Sequence, residues 1–425
     1  MGSFVRSVTV RLRRHGQSAT LQDAFHSATL VAAGCPVEEE TLPDYRPCDF
    51  YPVHVGLLFN GRYRVLAKLG YGGGSTVWFC RDQLVRRYVA VKVCSIRLSD
   101  DGRRDLRPRW EWKAYSRLSG MTTDNKGAQH VRQILDRFTI GTANGVQHQC
   151  FVYEVAAVNL QQLERTYPNQ KLPFAMAKDV LRAVLHALDF LHTEAGIVHT
   201  DIKKDNIFFP ATEACVAQFA KALHRQRPVA RYDENSNRLI YQSVHFTDLL
   251  KGSELSLQEP LLGDLGEAQV LWDEQASFPP SVVGPEPFRS PESIFGMPWG
   301  CAVDTWMLGH LAVSMASHQF LLDARKTGGR WSTTKHVRQM VALMGPPPPE
   351  YAGSRTVHPK IWEELLGSAK LRKYDAKTMD ARMGVIPDVW MQDDLVGFLH
   401  RIFKWRPGER ASAAELLRHR FLQAG

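Results

Sequence analysis

The spacing of apolar residues in this chain changes near residue 172, and that change limits the folds it can adopt. Before it, short β-branched runs are separated by glycine and polar residues, which is typical of an antiparallel sheet. These runs cover residues 63–69, 77–81, 89–95 and 150–155, and one helical stretch, residues 110–118, interrupts them. After it, Val180, Val184, Leu188 and Leu191 recur at the spacing of one buried helix face. We therefore predict an α+β protein whose smaller sheet part, with one helix, precedes a larger, mainly helical part. Further helices are predicted at 304–315, 336–344, 393–403 and 413–419.

The composition is that of an ordinary soluble globular protein. Of the 425 residues, 44% are hydrophobic and 23% are charged, as in most folded domains, and no run of 18 or more apolar residues predicts a membrane span. The seven cysteines are odd in number and scattered, with no CxxC pair that would indicate a zinc site or a redox motif. A reducing compartment, the cytoplasm or the nucleus, fits this pattern best.

The basic charge is concentrated in part at the N-terminus. The formal net charge is +9, and four arginines precede the first acidic residue, Asp23. Residues 1–22 therefore have the composition of a mitochondrial targeting peptide, although a disordered basic tail is the favoured interpretation. The remaining basic residues are spread and accompany no nucleic-acid-binding motif, so no direct nucleic-acid contact is expected.

A glycine cluster, Leu69 to Val77, lies between two of the predicted strands. Glycines let backbone amides approach phosphate oxygens without an intervening side chain, and the amides donate to the anion. The motif alone is weak, because a glycine cluster between strands is more often a plain hairpin. Ser75 also stands where the phosphate-binding pattern has its third glycine.

A lysine interrupts the next apolar strand. Strand alternation places Ala90 and Lys92 on one face, and a lysine there is costly unless an anion is its partner. A phosphate and a helix carboxylate would serve, and Glu111 on the following helix is the candidate. The alternative is an edge-strand lysine whose amine reaches water.

The segment from Ile197 to Ile207, with the sequence IVHTDIKKDNI, carries the most specific chemistry. Asp201 can accept the proton of an attacking hydroxyl, and Lys203 can neutralise charge on a transferring phosphoryl group. Asn206 can offer an amide oxygen to a metal ion. A second hard ligand, Asp264, follows in Gly263-Asp264-Leu265-Gly266, where the flanking glycines are expected to make a sharp turn.

In this order, the motifs resemble those of the eukaryotic protein kinases over residues 59–422. The resemblance implies a bilobal kinase fold, with an N-lobe at 59–156 and a C-lobe at 157–422 that contains an insert at about 210–262. A tail at 1–36 and a linker at 37–58 would precede it. It further implies ATP and Mg²⁺ as cofactors, with Asp201, Lys203, Lys92 and Glu111 in catalysis and Asn206 and Asp264 as metal ligands. The implied nucleotide contacts are Leu69, Gly70, Gly72, Ser75, Val77, Ala90, Lys92, Tyr153, Glu154, Ala156 and Phe208.

Two downstream features extend the resemblance. Ser290-Pro291-Glu292 is similar to the family's APE motif, and Arg410 is similar to the buried arginine that pairs with the glutamate of that motif. Asp304, Trp306 and Gly309 are similar to the family's DxWxxG helix.

Within the kinases, the sequences LGYGGGSTVW, HTDIKKDN and DLG resemble those of the kinases of serine/arginine-rich splicing factors, especially the fungal ones. Arg/Ser-rich proteins are then the implied substrates, and the enzyme is expected to be a monomer. Thr200 replaces the arginine of the usual HRD triplet, so activity is expected without phosphorylation of the activation loop. Pro285 stands where the family has a threonine that contacts the catalytic base.

Three functions remain open from the sequence. An active kinase is preferred, because every group needed for positioning and charge neutralisation is present. A pseudokinase or nucleotide-binding scaffold is the alternative, supported by Ser75, Thr200 and Pro285. A nucleic-acid-binding module would depend on net charge alone.

Overall fold

The structure is a computed structural model that describes residues 20–32, 36–96, 107–251, 254–271, 282–317, 320–353 and 393–423. The chain divides into two compact units. Unit 1 comprises Met1–Pro108, Gln133–Val158 and Phe209–Gln258, and unit 2 comprises Arg109–Arg132, Asn159–Phe208 and Glu259–Gly425. The predicted insert therefore groups largely with unit 1, whereas the sequence analysis placed it in the C-lobe; the other domain boundaries stay predictions.

Unit 1 contains a six-stranded sheet. Its strands are β2 (Leu58–Phe59), β3 (Tyr63–Gly72), β4 (Ser75–Asp82), β5 (Tyr88–Cys94), β6 (Ile134–Gly141) and β7 (Gln147–Tyr153). They lie in the order β2-β3-β4-β5-β7-β6, and every neighbouring pair is antiparallel. The predicted antiparallel sheet is confirmed. The sequence analysis missed β6, because this edge strand buries only Phe138 and so has little apolar periodicity.

The residues before the sheet and the predicted insert pack together in unit 1. They form helices α1 (Leu21–Ser27), α5 (Glu213–Leu223) and α6 (Phe246–Leu249), and a sheet of β1 (Thr29–Leu30), β11 (Val229–Asp233) and β12 (Arg238–Tyr241). Strand β1 pairs in parallel with β11, which pairs antiparallel with β12. The predicted tail is thus folded over residues 20–32, because Ala24 and Ala28 are buried in a core with Tyr241 and strands of the large sheet. Residues 1–19 of the predicted targeting segment, residues 1–22, lie outside the described residues.

Unit 2 is mainly helical. Its helices are α2 (Arg107–Ser119, which begins in unit 1), α3 (Leu160–Glu164), α4 (Phe174–Phe190), α7 (Pro291–Ile294), α8 (Ala302–Ser317), α9 (Thr333–Met344), α10 (Asp393–Ile402), α11 (Ala413–Leu417) and α12 (Arg420–Gln423). The predicted face of α4 is buried, and α8 is buried all round from Val303 to Ala316, as expected of a central helix. None of the helices in the described ranges has the length and apolar content needed to cross a bilayer.

Short strands position the loops of unit 2. Strands β9 (Ile197–Val198) and β10 (Ile207–Pro210) flank the segment that carries Asp201, and β13 (Leu261–Leu262) and β14 (Gln269–Val270) flank the one that carries Asp264. Strand β10 pairs with β13 and β9 pairs with β14, both antiparallel. The two loops are therefore held side by side. Strand β8 (Ala156–Asn159) follows the large sheet in the chain.

A buried ion pair joins two distant parts of unit 2. Arg410 donates to both carboxylate oxygens of Glu292 at 2.6 Å, and neither side chain is more than 1% exposed. The guanidinium also donates to the carbonyls of Lys404, Ala302 and Trp405. The predicted pairing of Arg410 with Glu292 is confirmed.

We expect Glu292→Ala to lower the free energy of unfolding by about 3 to 5 kcal/mol, because it leaves a buried guanidinium without its counter-ion. Urea denaturation measures the change. Glu350→Ala is the matched control, since Glu350 pairs with Arg406 at the surface and exposed pairs contribute little. Equal shifts in the two variants would contradict a special role for the buried pair.

Candidate functional site

The carboxylate of Asp201 is held by two neighbours in its own loop. Lys203 Nζ donates to Asp201 Oδ2 at 2.7 Å, and Asn206 Nδ2 donates to the same oxygen at 2.7 Å and to the Asp201 carbonyl at 2.8 Å. Asp201 is 9% exposed. These bonds fix the carboxylate in one orientation while part of it still reaches solvent, as a proton acceptor requires.

His199 connects this loop to the one that carries Asp264. The backbone N–H of Asp201 points at His199 Nδ1 at 3.3 Å, so Nδ1 accepts, and the proton belongs on Nε2, which lies 3.0 Å from the Gly263 carbonyl. The Gly263 N–H in turn donates to the Asn206 carbonyl at 2.9 Å. The residue immediately before Asp264 is therefore bound to the loop of Asp201 on two sides.

Asp304, at the start of α8, anchors the backbone of the same loop. Its Oδ1 accepts from the Thr200 N–H at 2.7 Å, and its Oδ2 accepts from the His199 N–H at 2.8 Å and lies 2.8 Å from His192 Nε2. Asp304 is fully buried. A carboxylate in such a place is stable only because its lone pairs are used in this way.

Thr200 occupies a strained backbone conformation. Its φ is +65°, which is unusual for a β-branched residue and costs about 1 to 3 kcal/mol. Besides its N–H bond to Asp304, its hydroxyl donates to the Glu267 carbonyl at 2.8 Å. That bond ties the loop of Asp201 to the segment just after Asp264.

At Asp264 the structure corrects the expected role of the glycines. The sharp turn is made by Asp264 itself, with φ +61° and ψ +74°, rather than by its glycine neighbours. A side chain at Gly263 would be crowded, since a Cβ there would lie 3.0 Å from Arg132 Cδ and 3.1 Å from a ring carbon of Phe208. The turn leaves the Asp264 carboxylate to accept from the Gly266 N–H at 3.4 Å.

Lys203 lies within electrostatic reach of both carboxylates. Its burial acts to lower its pKa, but the charge and hydrogen bond of Asp201, with the charges of Asp264 and Asp205, outweigh burial and raise the pKa of Lys203. Lys203 therefore stays cationic beside Asp201 and Asp264. A fixed positive charge here suits a substrate group that carries negative charge.

Hard oxygen donors for a metal ion are present in the same place. Asn206 donates both of its side-chain hydrogen bonds to Asp201 through Nδ2. Its Oδ1 can therefore serve as a metal ligand, and Asp264 supplies carboxylate oxygen. Within the described ranges, no cluster of three or more His, Cys, Asp or Glu side chains could hold a metal ion. Mg²⁺ is commonly bound by one or two protein groups together with substrate phosphates, and the donor set fits that mode.

In unit 1, the predicted nucleotide-contacting residues lie on neighbouring strands. Gly70 on β3 is opposite Val77 on β4, and Val77 is opposite Lys92 on β5. Ala90 on β5 is opposite Tyr153 on β7. A Cβ at Gly70 or Gly72 would meet no described atom within 4 Å, so this part of β3 presents open backbone.

The remaining predicted residues are placed as follows. Leu69 and Gly72 lie on β3 and Ser75 on β4, with Gly72 opposite Ser75. Glu154 is exposed after β7, Ala156 begins β8, and Phe208 lies on β10 under the guanidinium of Arg132. Glu111 is buried on α2, and its pairing with Lys92 stays a prediction.

The sequence analysis missed the roles of four residues that position the site: His192, His199, Thr200 and Asp304. His199 and Thr200 were inside the motif, and Asp304 was recognised only as part of a helix pattern. Their contacts join residues 64 to 112 positions apart. Such pairings have no local sequence signal, although a carboxylate at the start of an otherwise apolar helix does indicate a buried partner.

We expect Asp304→Ala to release the loop of Asp201, because it leaves two buried backbone N–H groups without acceptors, each at a cost of about 1 to 3 kcal/mol. Hydrogen exchange followed by mass spectrometry would show faster exchange at residues 199–206. Asp304→Asn keeps an acceptor oxygen and should have a smaller effect. Unchanged exchange in Asp304→Ala would show that the loop does not depend on this carboxylate.

Comparison with known proteins agrees with this geometry. A family model described as protein kinase domain matches residues 63–226 and 241–422. A serine/threonine protein kinase of Aspergillus fumigatus is 33% identical over 392 residues, which is 91% of this chain and 91% of that protein. The serine/threonine-protein kinase SRPK of Physarum polycephalum is 26% identical, again over 91% of each chain.

Two further matches are a relative that aligns with part of the chain and a solved structure with a similar fold. SRSF protein kinase 3 of Mus musculus is 38% identical over 183 residues, 43% of this chain and 32% of that protein. Among solved structures, the crystal structure of a kinase domain aligns with a TM-score of 0.59 and 19% identity, over 88% of this chain and 99% of that one. At this identity the structural match shows the fold alone.

Proposed function

Since this chain belongs to the protein kinase family and is a serine/threonine protein kinase, we propose that it uses ATP with Mg²⁺ to phosphorylate Arg/Ser-rich proteins. The observation that carries the proposal is the loop of unit 2 in which Lys203 and Asn206 both hold the Asp201 carboxylate. Phosphoryl transfer needs a positioned proton acceptor and fixed positive charge, with little covalent chemistry from the protein.

In this proposal each residue of the loop has one task. Asp201 orients the serine hydroxyl of the substrate and takes its proton as the oxygen attacks the γ-phosphorus. Lys203 neutralises negative charge on the phosphoryl group, which separates from ADP in the same step. Asn206 and Asp264 hold Mg²⁺, which when bound offsets the charge of the phosphates.

The nucleotide is assigned mainly to residues of unit 1, with Glu111 and Phe208 from unit 2. Gly70, Gly72 and Ser75 offer backbone amides to the phosphates, and Lys92, with Glu111 as its proposed partner, contacts them by charge. Ala90, Tyr153, Glu154 and Ala156 contact the adenine, together with Leu69, Val77 and Phe208. The support is the pairing of β3, β4, β5 and β7, which places Gly70, Val77 and Lys92 on neighbouring strands and Ala90 opposite Tyr153.

Two observations support Arg/Ser-rich substrates. Relatives of this chain are named as SRPK and SRSF protein kinases, and an exposed carboxylate, Asp205, lies four residues after Asp201. A carboxylate near the proton acceptor can bind a substrate guanidinium through two parallel hydrogen bonds. Arginine-rich substrates would also favour an acidic docking surface. The sequence of segment 322–388 has mixed charge, and the structure describes this segment only to residue 353.

The alternatives have less support. The named relatives favour an active kinase over a pseudokinase. Pro285, the N-cap of a short 3-10 helix, is not a catalytic group.

We propose that the protein is a monomer and that it is located in the cytoplasm or nucleus. The location is in keeping with the absence of disulfides among the six cysteines in the described ranges. A mitochondrial location has no support beyond the basic N-terminus.

We expect the protein to transfer label from γ-labelled ATP with Mg²⁺ to an Arg/Ser-repeat peptide. Asp201→Asn should lower kcat by about 100- to 10,000-fold through loss of the proton acceptor, with ADP affinity retained. A Lys/Ser-repeat peptide of equal charge should be the poorer substrate, because lysine cannot form the two parallel bonds of arginine.

Peptide phosphorylation assays on the two peptides separate the parts of this proposal. No transfer to either peptide, or to a broader peptide library, would end the kinase proposal. Equal kcat/KM for the two peptides would leave a kinase but remove arginine recognition.

We expect phosphatase treatment to change kcat by less than about twofold. In the usual arrangement a phosphorylated activation loop is anchored by the arginine before the catalytic base, whereas here Thr200 takes that position and bonds to the Glu267 carbonyl. Mass spectrometry would verify phosphate removal before the kinetic assay. A large loss of activity on dephosphorylation would show that another cation reads the phosphate.

A further inference from the structure

Three consecutive glutamates before the sheet, Glu38 to Glu40, are all engaged inside unit 1. Glu38 accepts from the Ser243 N–H at 2.9 Å and from the Ser243 hydroxyl at 2.6 Å. Glu39 pairs with Lys68, and Glu40 with Arg231. The acidic run predicted as part of a linker is therefore bound to the sheet and to the insert.

Lys68 is the centre of these contacts. It is 1% exposed, and its Nζ is bonded to Glu39, lies 3.3 Å from Glu38 and donates to the Tyr241 carbonyl at 3.2 Å. Its own carbonyl accepts from the Val244 N–H at 2.8 Å. Both the side chain and the backbone of this lysine are thus fixed by segments outside the large sheet.

The same contacts reach the glycine-rich loop. Lys68 lies two residues before Gly70, and its Nζ is 5.0 Å from the centre of the Tyr71 ring. The Tyr71 hydroxyl is 3.2 Å from Thr41 Oγ1, and that threonine already donates to the Glu38 carbonyl at 2.7 Å. Because the threonine proton is used there, Tyr71 donates to Thr41.

Within the sheet, this part of the loop is held by the pairing of β3 with β4, which continues to Gly72 but has a register shift between Lys68 and Gly70. A Cβ at Gly70 or Gly72 would have no described atom within 4 Å, so side-chain packing adds no restraint at the glycines. Glycine in open space has wide conformational freedom. The contacts at Lys68 and Tyr71 therefore restrict this backbone from outside the hairpin, in addition to the strand pairing.

We propose that Lys68, clamped by Glu38 and Glu39, together with the Tyr71–Thr41 bond, positions the glycine-rich loop for nucleotide, so that the N-terminal segment and the insert set nucleotide affinity. The inference depends on the proposed function, because it takes this loop to contact the phosphates of ATP. Lys68 is a positioning residue, since it acts through the loop.

The central test is the triple variant Lys68→Met/Glu38→Gln/Glu39→Gln. It removes all three charges together, which avoids the buried uncompensated carboxylates that Lys68→Met alone would leave. We expect its Kd for Mg²⁺-ADP, measured by calorimetry, to rise about 5- to 100-fold, the usual range for coupled sites. KM for ATP should rise with it, and kcat should change little, because bound nucleotide orders the loop.

A matched control exists in the same sheet. Arg62 pairs with Asp82 and Asp136, one cation with two carboxylates, at the far end of β3 from the glycines. Arg62→Met/Asp82→Asn/Asp136→Asn should lower Tm without changing the Kd for Mg²⁺-ADP. Tyr71→Phe and Thr41→Val each remove one hydroxyl, and their effects on Kd should not add, since they break the same bond.

Hydrogen exchange of the nucleotide-free protein tests the clamp without any activity. We expect residues 69–76 to exchange faster in the triple variant than in wild type or in the Arg62 control. If the triple variant folds and both its loop exchange and its Kd match wild type, the inference is wrong. If wild type neither binds Mg²⁺-ADP nor transfers phosphate, the proposed function fails instead, and the exchange result still decides whether the clamp holds the loop.

Discussion

The buried carboxylate of Asp304 is the constraint on which the geometry of the loop of Asp201 depends. Two backbone N–H groups of consecutive residues, His199 and Thr200, donate to its two oxygens, and this forked arrangement fixes the peptide plane between them. Thr200 is thereby kept at positive φ, and the chain reverses so that Asp201 follows with its carboxylate toward Lys203 and Asn206. Without that anchor, the strain at Thr200 would favour another backbone conformation.

Unit 1 shows how segments outside the glycine-rich loop can position it. The residues before the sheet and the insert are separated by about 200 positions in the chain, yet they meet in one core with β3 and in one set of charges around Lys68. Their packing buries apolar side chains from both segments, which stabilises them by the hydrophobic effect. The charged groups fix how the two segments are arranged, because each glutamate has a specific hydrogen-bonding partner.

The sequence predicted the groups that carry chemistry better than the contacts that place them. Asp201, Lys203 and Asn206 lie within six residues, so their convergence follows from a short loop between two apolar strands. The burial of Lys68 could not be predicted in the same way. Tyr63, Val65 and Ala67 are buried at every second position, which predicts that Lys68 is exposed. The register shifts in β3 break this alternation, and Lys68 is buried. A bulge changes which face a side chain occupies, and periodicity does not detect it. The strand Thr29–Leu30 was missed because two residues are too few to show a hydrophobic periodicity.

Buried charge is used in the same manner at three places in this chain. Glu292 with Arg410, Asp304 with the loop amides, and Lys68 with Glu38 and Glu39 are each nearly or fully removed from water. Such groups add little net stability compared with apolar residues of similar volume, but breaking one partner is costly. Each therefore selects one arrangement of distant segments over the alternatives that a hydrophobic core would tolerate. For a transfer reaction in which orientation supplies much of the rate, that selectivity matters more than the stability it contributes.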